Sequence, residues 1–396
     1  MSWAQKDDYR HKPLDIHNRF FKWAGDVGKP FGREHWLVTF YAQLEFPKRI
    51  DAANELRRAW KAVRFRHPGI ATVLHSDETK KVYYPVQDKE TLEKWCKATF
   101  RVQEDAYSAK DVLNRHVKVP QVTCYWIPAS SQVALISSHW RWDAHAAALV
   151  LNSLLSELET PSPAPSFDGS EAKYLAPSLD EVVGMPETWE PAGPSNLNSP
   201  PSDTNWSEVF FSQEETSALH PAARKQGLTI RTALHTSTIV KVSQSSPESH
   251  APRYISFGCF DLRKHLPPAG NEWRDAAALR FTGRPLNPWK SEESDAIFVR
   301  VPFTEKCLAM MALVPPNAPK PADPMINSLG IIDNSIKNQY GPIAVKDVCF
   351  VNTNLTQSIT IVVFTWKGQL HLSAEYNEVY YTAGFVDNFL LRVKDG

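Results

Sequence analysis

A long apolar run and an excess of charge of one sign are both missing from this sequence of 396 residues. Its 44 Lys and Arg are matched by 44 Asp and Glu, a formal net charge of zero. Such a chain carries no extended field to draw in DNA, RNA or an anionic bilayer. The longest apolar segments, Ala144 to Leu151 and Thr360 to Trp366, fall well short of the roughly 20 residues that cross a membrane as a helix. Met1 to Arg10 is polar and charged and has none of the apolar core of a secretory leader. Cysteine is sparse as well. Cys96, Cys124, Cys259, Cys307 and Cys349 lie far apart, form no C-x-x-C pair and are odd in number. They read as inert, reduced thiols of a soluble cytoplasmic protein. No internal repeat of about 20–50 residues is visible, which sets solenoids and propellers aside.

What is present is core-forming material and rigid connection. Hydrophobic residues make up 42% of the chain, with 13 Trp and 30 Pro. At roughly 150 residues per domain the length predicts two or three domains. The strand signal is clear in Trp36 to Leu44 (WLVTFYAQL), followed by a helix over Asp51 to Arg66. In that helix Leu56, Trp60 and Val63 recur at helical spacing, Asp51 is the candidate cap and Pro68-Gly69 is the stop. Val119 to Ile127 and Ser131 to Ser137 predict a hairpin turned by Pro128 to Ser130. The second of these strands runs into His139, and a helix is predicted over Ala144 to Glu157.

From Glu159 to Asn205 proline, serine and glycine dominate, so a linker over 159–205 divides an N-terminal domain, 1–158, from a C-terminal one, 206–396. The second part opens with a strand at Trp206 to Phe211 and two helices, from Gln213 toward Arg224 and from Thr229 to Val242. Further strands are predicted at Arg253 to Phe260, Ala296 to Pro302, Ile343 to Val351, Ile359 to Trp366 and Gln369 to Tyr376. A closing helix spans Thr382 to Val393. Strands and helices alternate irregularly, which predicts mixed α/β sheets flanked by helices.

Ser137-Ser138-His139-Trp140-Arg141-Trp142-Asp143 carries the chemistry. A histidine leaves the end of an apolar strand, and an aspartate follows four residues later where a helix begins. Both side chains are therefore held by rigid flanks. Histidine, with an ordinary pKa of about 6.5, accepts and returns a proton near neutrality within one turnover. A single H-x-x-x-D string also arises by chance, and a structural histidine is the commoner occupant of a strand end. A metal held with His145 is the weaker alternative, because it offers two histidines and one carboxylate bunched on one loop.

This segment, placed after a core strand about 140 residues into a two-part chain, resembles the H-x-x-x-D signature of the chloramphenicol-acetyltransferase-like superfamily. That superfamily includes the BAHD acyltransferases, the fungal trichothecene O-acetyltransferases and the condensation domains of nonribosomal peptide synthetases. Other segments agree in order. Leu56 to Pro68 resembles the family's first long helix. Tyr254 to Asn271 resembles its D-x-R strand with a proline-rich turn, and Thr365 to Asn377 its closing hairpin. The similarity spans nearly the whole chain and is greatest to enzymes of the trichothecene type. Ala144 and Ser138 stand where the family usually has glycine and a second histidine, and Asp347 to Val351 replaces the plant D-F-G-W-G element.

The resemblance implies two similar domains, each a mixed sheet flanked by helices, with a tunnel along their interface and the histidine midway along it. It implies an acyl-CoA-dependent O-acyltransferase, with acetyl-CoA the expected donor and a hydroxylated small molecule, such as a fungal secondary metabolite, the acceptor. His139 is then the general base. Asp143 points away from substrate to orient the loop, and Arg263 is its expected partner. Trp142, Thr353 and Ser328 are tunnel candidates, the last two as possible stabilisers of the oxyanion. No metal is needed, no nucleic acid or membrane partner is expected, and the chain is expected to act as a monomer. A carrier-protein-bound donor, or a scaffold repurposed for cyclisation or for binding, are the alternatives.

Overall fold

In the computed structural model the chain divides into two compact units, one of residues 1–196, 262–280 and 334–353, the other of 197–261, 281–333 and 354–396. The structure describes residues 3–116, 119–183, 197, 199–245, 256–266, 273, 276–286 and 323–396. The strand expected at Ala296 to Pro302, Cys307 and the proline-rich turn that follows Leu266 lie outside the described residues.

The first unit is built on a six-stranded sheet in the order Gln339–Tyr340, Ile343–Asn352, Val38–Glu45, Gln132–Ser137, Thr123–Ile127, Phe100–Val102. Val38 faces Asn352 on one side and Ser137 on the other, so Val38–Glu45 is a central strand with antiparallel neighbours. Val38 to Ala42 are all buried, as expected of a strand covered on both faces. The predicted hairpin is present, with the short 3-10 turn Pro128–Ser130 at its tip. Helix Ala52–Arg66 packs against helix Ala144–Glu159. Leu56, Ala59, Trp60 and Val63 form its inward stripe, and the Asp51 side chain accepts from the Asn54 amide at its start. Each such fully buried large apolar side chain is worth about 1.5–3 kcal/mol. Trp60 stacks on Trp95 at 5.5 Å and donates its indole N–H to Thr99.

A second, four-stranded sheet of Ala4–Lys6, Tyr9–Pro13, Lys80–Tyr83 and Val73–Leu74 completes this unit. Part of the segment expected to be a plain linker is structured. Glu171, in the 3-10 turn Ser170–Tyr174, accepts from the Tyr83 hydroxyl and the Val86 amide. Asp180, in helix Leu179–Val183, accepts from the Ile16 amide and pairs with His17.

The second unit holds a six-stranded mixed sheet in the order Phe281–Leu286, Ser256–Asp261, Met325–Ile331, Thr360–Trp366, Gln369–Asn377, Thr204–Phe210. Its closing hairpin turns at Lys367 and Gly368, both with positive φ, as a two-residue turn matched to strand twist requires. Helix Gln213–Lys225 begins with a reciprocal capping box between Ser212 and Glu215. The C-terminal helix Ala383–Lys394 lays Val386, Phe389, Leu390 and Val393 into a core with Ile361, Val363 and Leu372. Among the described residues no helix is long and apolar enough to cross a membrane.

Candidate active site

Strand Gln132–Ser137 is buried from Val133 onward, and the chain leaves it at Ser138 in a turn closed by the Arg141 amide on the Ser138 carbonyl, 3.1 Å. His139 stands in that turn, half-buried. Its Nδ1 lies 3.0 Å from the Trp142 carbonyl. A carbonyl only accepts, so Nδ1 carries the proton, and the neutral ring's lone pair resides on Nε2. The ring stacks on Phe21 at 4.2 Å and meets the edge of Trp36 at 6.3 Å. Burial lowers the pKa of His139 below the ordinary 6.5, against the opposing pull of the Trp142 carbonyl and the Asp143 charge. At neutral pH the group is thus an unprotonated base.

Asp143 caps helix Ala144–Glu159, accepting from the Ala146 amide at 2.8 Å. Its carboxylate also receives both Arg263 Nη groups, at 3.1 and 3.0 Å, and the Arg280 amide at 2.7 Å. Burial works to raise its pKa, yet the Arg263 guanidinium and the amide donors outweigh it and hold Asp143 below the ordinary carboxylate value. With both oxygens engaged, the group anchors one end of the loop whose other end carries the imidazole. Ala144 opens the helix and is not among the residues with positive φ. Its methyl in place of glycine therefore costs no backbone strain here.

Trp36 is the residue that sequence reasoning missed. It has φ 58°, a left-handed conformation that is a genuine outlier for so bulky a side chain. The strand predicted from Trp36 begins instead at Val38. Thr353 holds this strained segment. Its hydroxyl donates to the Glu34 carbonyl at 2.7 Å and accepts from the Leu37 amide at 2.8 Å, while its carbonyl accepts from the Trp36 amide at 2.8 Å. That hydroxyl has spent its one proton. His35 stacks on Trp36 at 4.6 Å, and burial, helped by the proximity of His139, presses its pKa down to about 3. No composition or spacing signal marks Trp36 or His35, because their role comes from a backbone angle and a tertiary clamp.

The structure therefore brings His139, Asp143, Arg263 and Thr353 together in the first unit. Trp142 shares the loop, but its indole is fully buried and its N–H meets no acceptor among the described residues. Ser328 belongs to the second unit, on strand Met325–Ile331, where it lines a cavity of about 360 Å³ together with His220, Arg224 and Arg231. Burial raises the pKa of the Cys96, Cys124 and Cys259 thiols, to about 11 for Cys96 and Cys259, which keeps them protonated and poorly nucleophilic.

The fold is the mixed α/β one shared by a solved acetyltransferase and by condensation domains of peptide synthetases. A trichothecene 15-O-acetyltransferase from Fusarium sporotrichioides superposes with a TM-score of 0.79 at 14% identity, over 99% of this chain and 96% of that one. In sequence the chain is 27% identical over 436 residues to the acetyltransferase pigO of Monascus ruber, covering 96% of this chain and 94% of that protein. It is also 27% identical over 430 residues to the O-acetyltransferase pigM of the same organism, covering 92% and 80%. No family model matches the chain.

Proposed function

We propose that the protein is an acyl-CoA-dependent O-acyltransferase that moves an acetyl group onto the hydroxyl of a small secondary metabolite, with His139 as general base. One observation carries this reading: the Nδ1 contact to the Trp142 carbonyl, 3.0 Å, which leaves the basic lone pair on Nε2. Nε2 takes the proton of the acceptor hydroxyl as its oxygen attacks the thioester carbonyl. The tetrahedral oxyanion then collapses, the carbon–sulfur bond breaks, and the thiolate of coenzyme A takes the proton back from the imidazolium. Asp143 and Arg263 act as positioning residues that fix the loop. General base work of this kind contributes about 10²–10⁴-fold, and holding donor and acceptor together contributes more. The fungal acetyltransferases of similar sequence support the same reaction class.

The test is incubation of the purified protein with acetyl-CoA and a panel of hydroxylated fungal metabolites, read by mass spectrometry. The expected result is a product heavier by one acetyl group, lost in a folded His139→Ala variant. Full transfer by that variant would remove His139 from the mechanism. Activity only with a carrier-bound acyl group would replace coenzyme A as the donor.

A further inference from the structure

A cavity of about 180 Å³ lies in the first unit, and His139 is not on its wall. It is lined by the aromatic rings of Trp3, Trp140 and Tyr174 and by the cations Arg66, Lys81 and Arg141. Among the described residues no carboxylate lines it. Arg66 has Glu157 at 3.7 Å. Among the described residues neither of the other two has a carboxylate within ion-pair distance; Asp15 acts on Lys81, and Glu34 on Arg141, at longer range.

Arg141 is buried, and all its acceptors are neutral: Ser137 Oγ at 2.5 Å, the Thr72 and Pro120 carbonyls at 2.8 and 2.6 Å, and Thr72 Oγ1 at 3.5 Å. Four of its five N–H groups are used. Among the described residues Lys81 has a single hydrogen bond, to Asn18 Oδ1 at 3.2 Å, and its ammonium sits 5.7 Å from the centre of the Trp3 ring. Across the small sheet it faces another lysine, Lys12, which is paired with Glu181. Desolvation presses Lys81 down to about 8 and Arg141 to about 9.

Holding two desolvated cations with carboxylates only at longer range is costly, and no ion pair among the described residues returns that cost. The walls and the charges together describe an empty complement. A cavity of about 150 Å³ accommodates a benzene ring, so this one has room for a six-membered ring with a small substituent. Two N–H groups remain on Lys81 and one on Arg141, enough for the two oxygens of a carboxylate. A bare phosphate would make no use of the indole walls.

We propose that this cavity is a binding site for a small aromatic carboxylate, its ring against Trp3 and Trp140 and its anion on Lys81. Asn18 couples the site to the motif loop, since its Nδ2 donates to the Trp140 carbonyl at 2.7 Å while its Oδ1 receives Lys81.

Isothermal titration calorimetry on the full chain tests this with benzoate, benzamide and inorganic phosphate as probes and with no acyl donor present, so its outcome is separate from that of the transferase assay. Benzoate is expected to bind, with benzamide, the uncharged isostere, weaker by about tenfold or more, the factor carried by one charge-assisted hydrogen bond. Lys81→Met is expected to weaken benzoate by a similar factor while keeping or raising the melting temperature, because it removes a desolvated ammonium that has no ion pair among the described residues. Should that variant fail to fold, Trp3→Ala is expected to show the same loss. Absence of benzoate binding, equal affinity for benzamide, tighter binding of phosphate, or undiminished affinity in the folded variants would each overturn the proposal.

Discussion

His139 and Asp143 are both displaced from their ordinary pKa values, for different reasons that lead to separate measurements. For His139 the dominant influence is burial, which disfavours the imidazolium. The base form is then fully present at neutral pH, so kcat/KM for acyl transfer is expected to rise through an apparent pKa below 6.5 and to stay level above it. A profile that still climbs well above pH 7 would point to another base. For Asp143 the favourable partner is Arg263. Because its folded pKa lies below the unfolded value, the pair's contribution to stability is complete above the ordinary carboxylate range and is lost as pH falls through the lowered pKa. Arg263→Gln leaves a buried carboxylate with, among the described residues, only the Ala146 and Arg280 amides as donors. It is expected to cost about 3–5 kcal/mol in denaturant unfolding at neutral pH, and a cost under about 1 kcal/mol would show that the ion pair does not anchor the loop.

At the level of elements, the segment Glu34 to Leu37 is held in an unfavourable conformation by a residue more than three hundred positions away. Thr353→Val keeps the shape of the side chain but strips the Glu34 carbonyl and the Leu37 amide of their partner. Leaving such buried groups unpaired is expected to cost about 1–3 kcal/mol each. Acyl transfer is expected to fall as well, since Trp36, which this clamp holds in its left-handed conformation, meets the edge of the His139 ring. The pH profile should be unchanged. A variant with wild-type stability and rate would mean that the clamp is dispensable.

The same region shows where the sequence was legible and where it was not. Helix Ala52–Arg66, the hairpin at Pro128–Ser130 and the cap of helix Ala144–Glu159 follow from apolar periodicity and local capping chemistry, which act within a few residues. H-x-x-x-D is likewise local. Trp36 read as the first residue of a strand, because a left-handed angle imposed by Thr353 leaves no mark on composition. The strands Ala4–Lys6 and Tyr9–Pro13 escaped notice for a related reason: they are short, polar and stabilised by distant neighbours. So was the cation-walled cavity, whose residues lie scattered through the first 176 positions and in the segment 273–278.

On the scale of the whole molecule, the feature with the widest consequence is that residues 334–353 return to the first unit and supply the strand Ile343–Asn352 alongside Val38–Glu45. A fragment of residues 1–205 contains His139 and Asp143 but lacks this strand, Arg263 and Thr353. It is expected to aggregate or to elute as large particles in size-exclusion chromatography, because Val38–Glu45 would present an apolar, unpaired edge ready to recruit another chain. A monodisperse, folded fragment would show that the first unit stands without its late strand. The chain has in effect been stitched through itself. During synthesis the part that carries the imidazole must wait, incomplete, until nearly nine-tenths of the polypeptide has been made, and the two halves cannot be traded between relatives as cassettes cut at the proline-rich stretch.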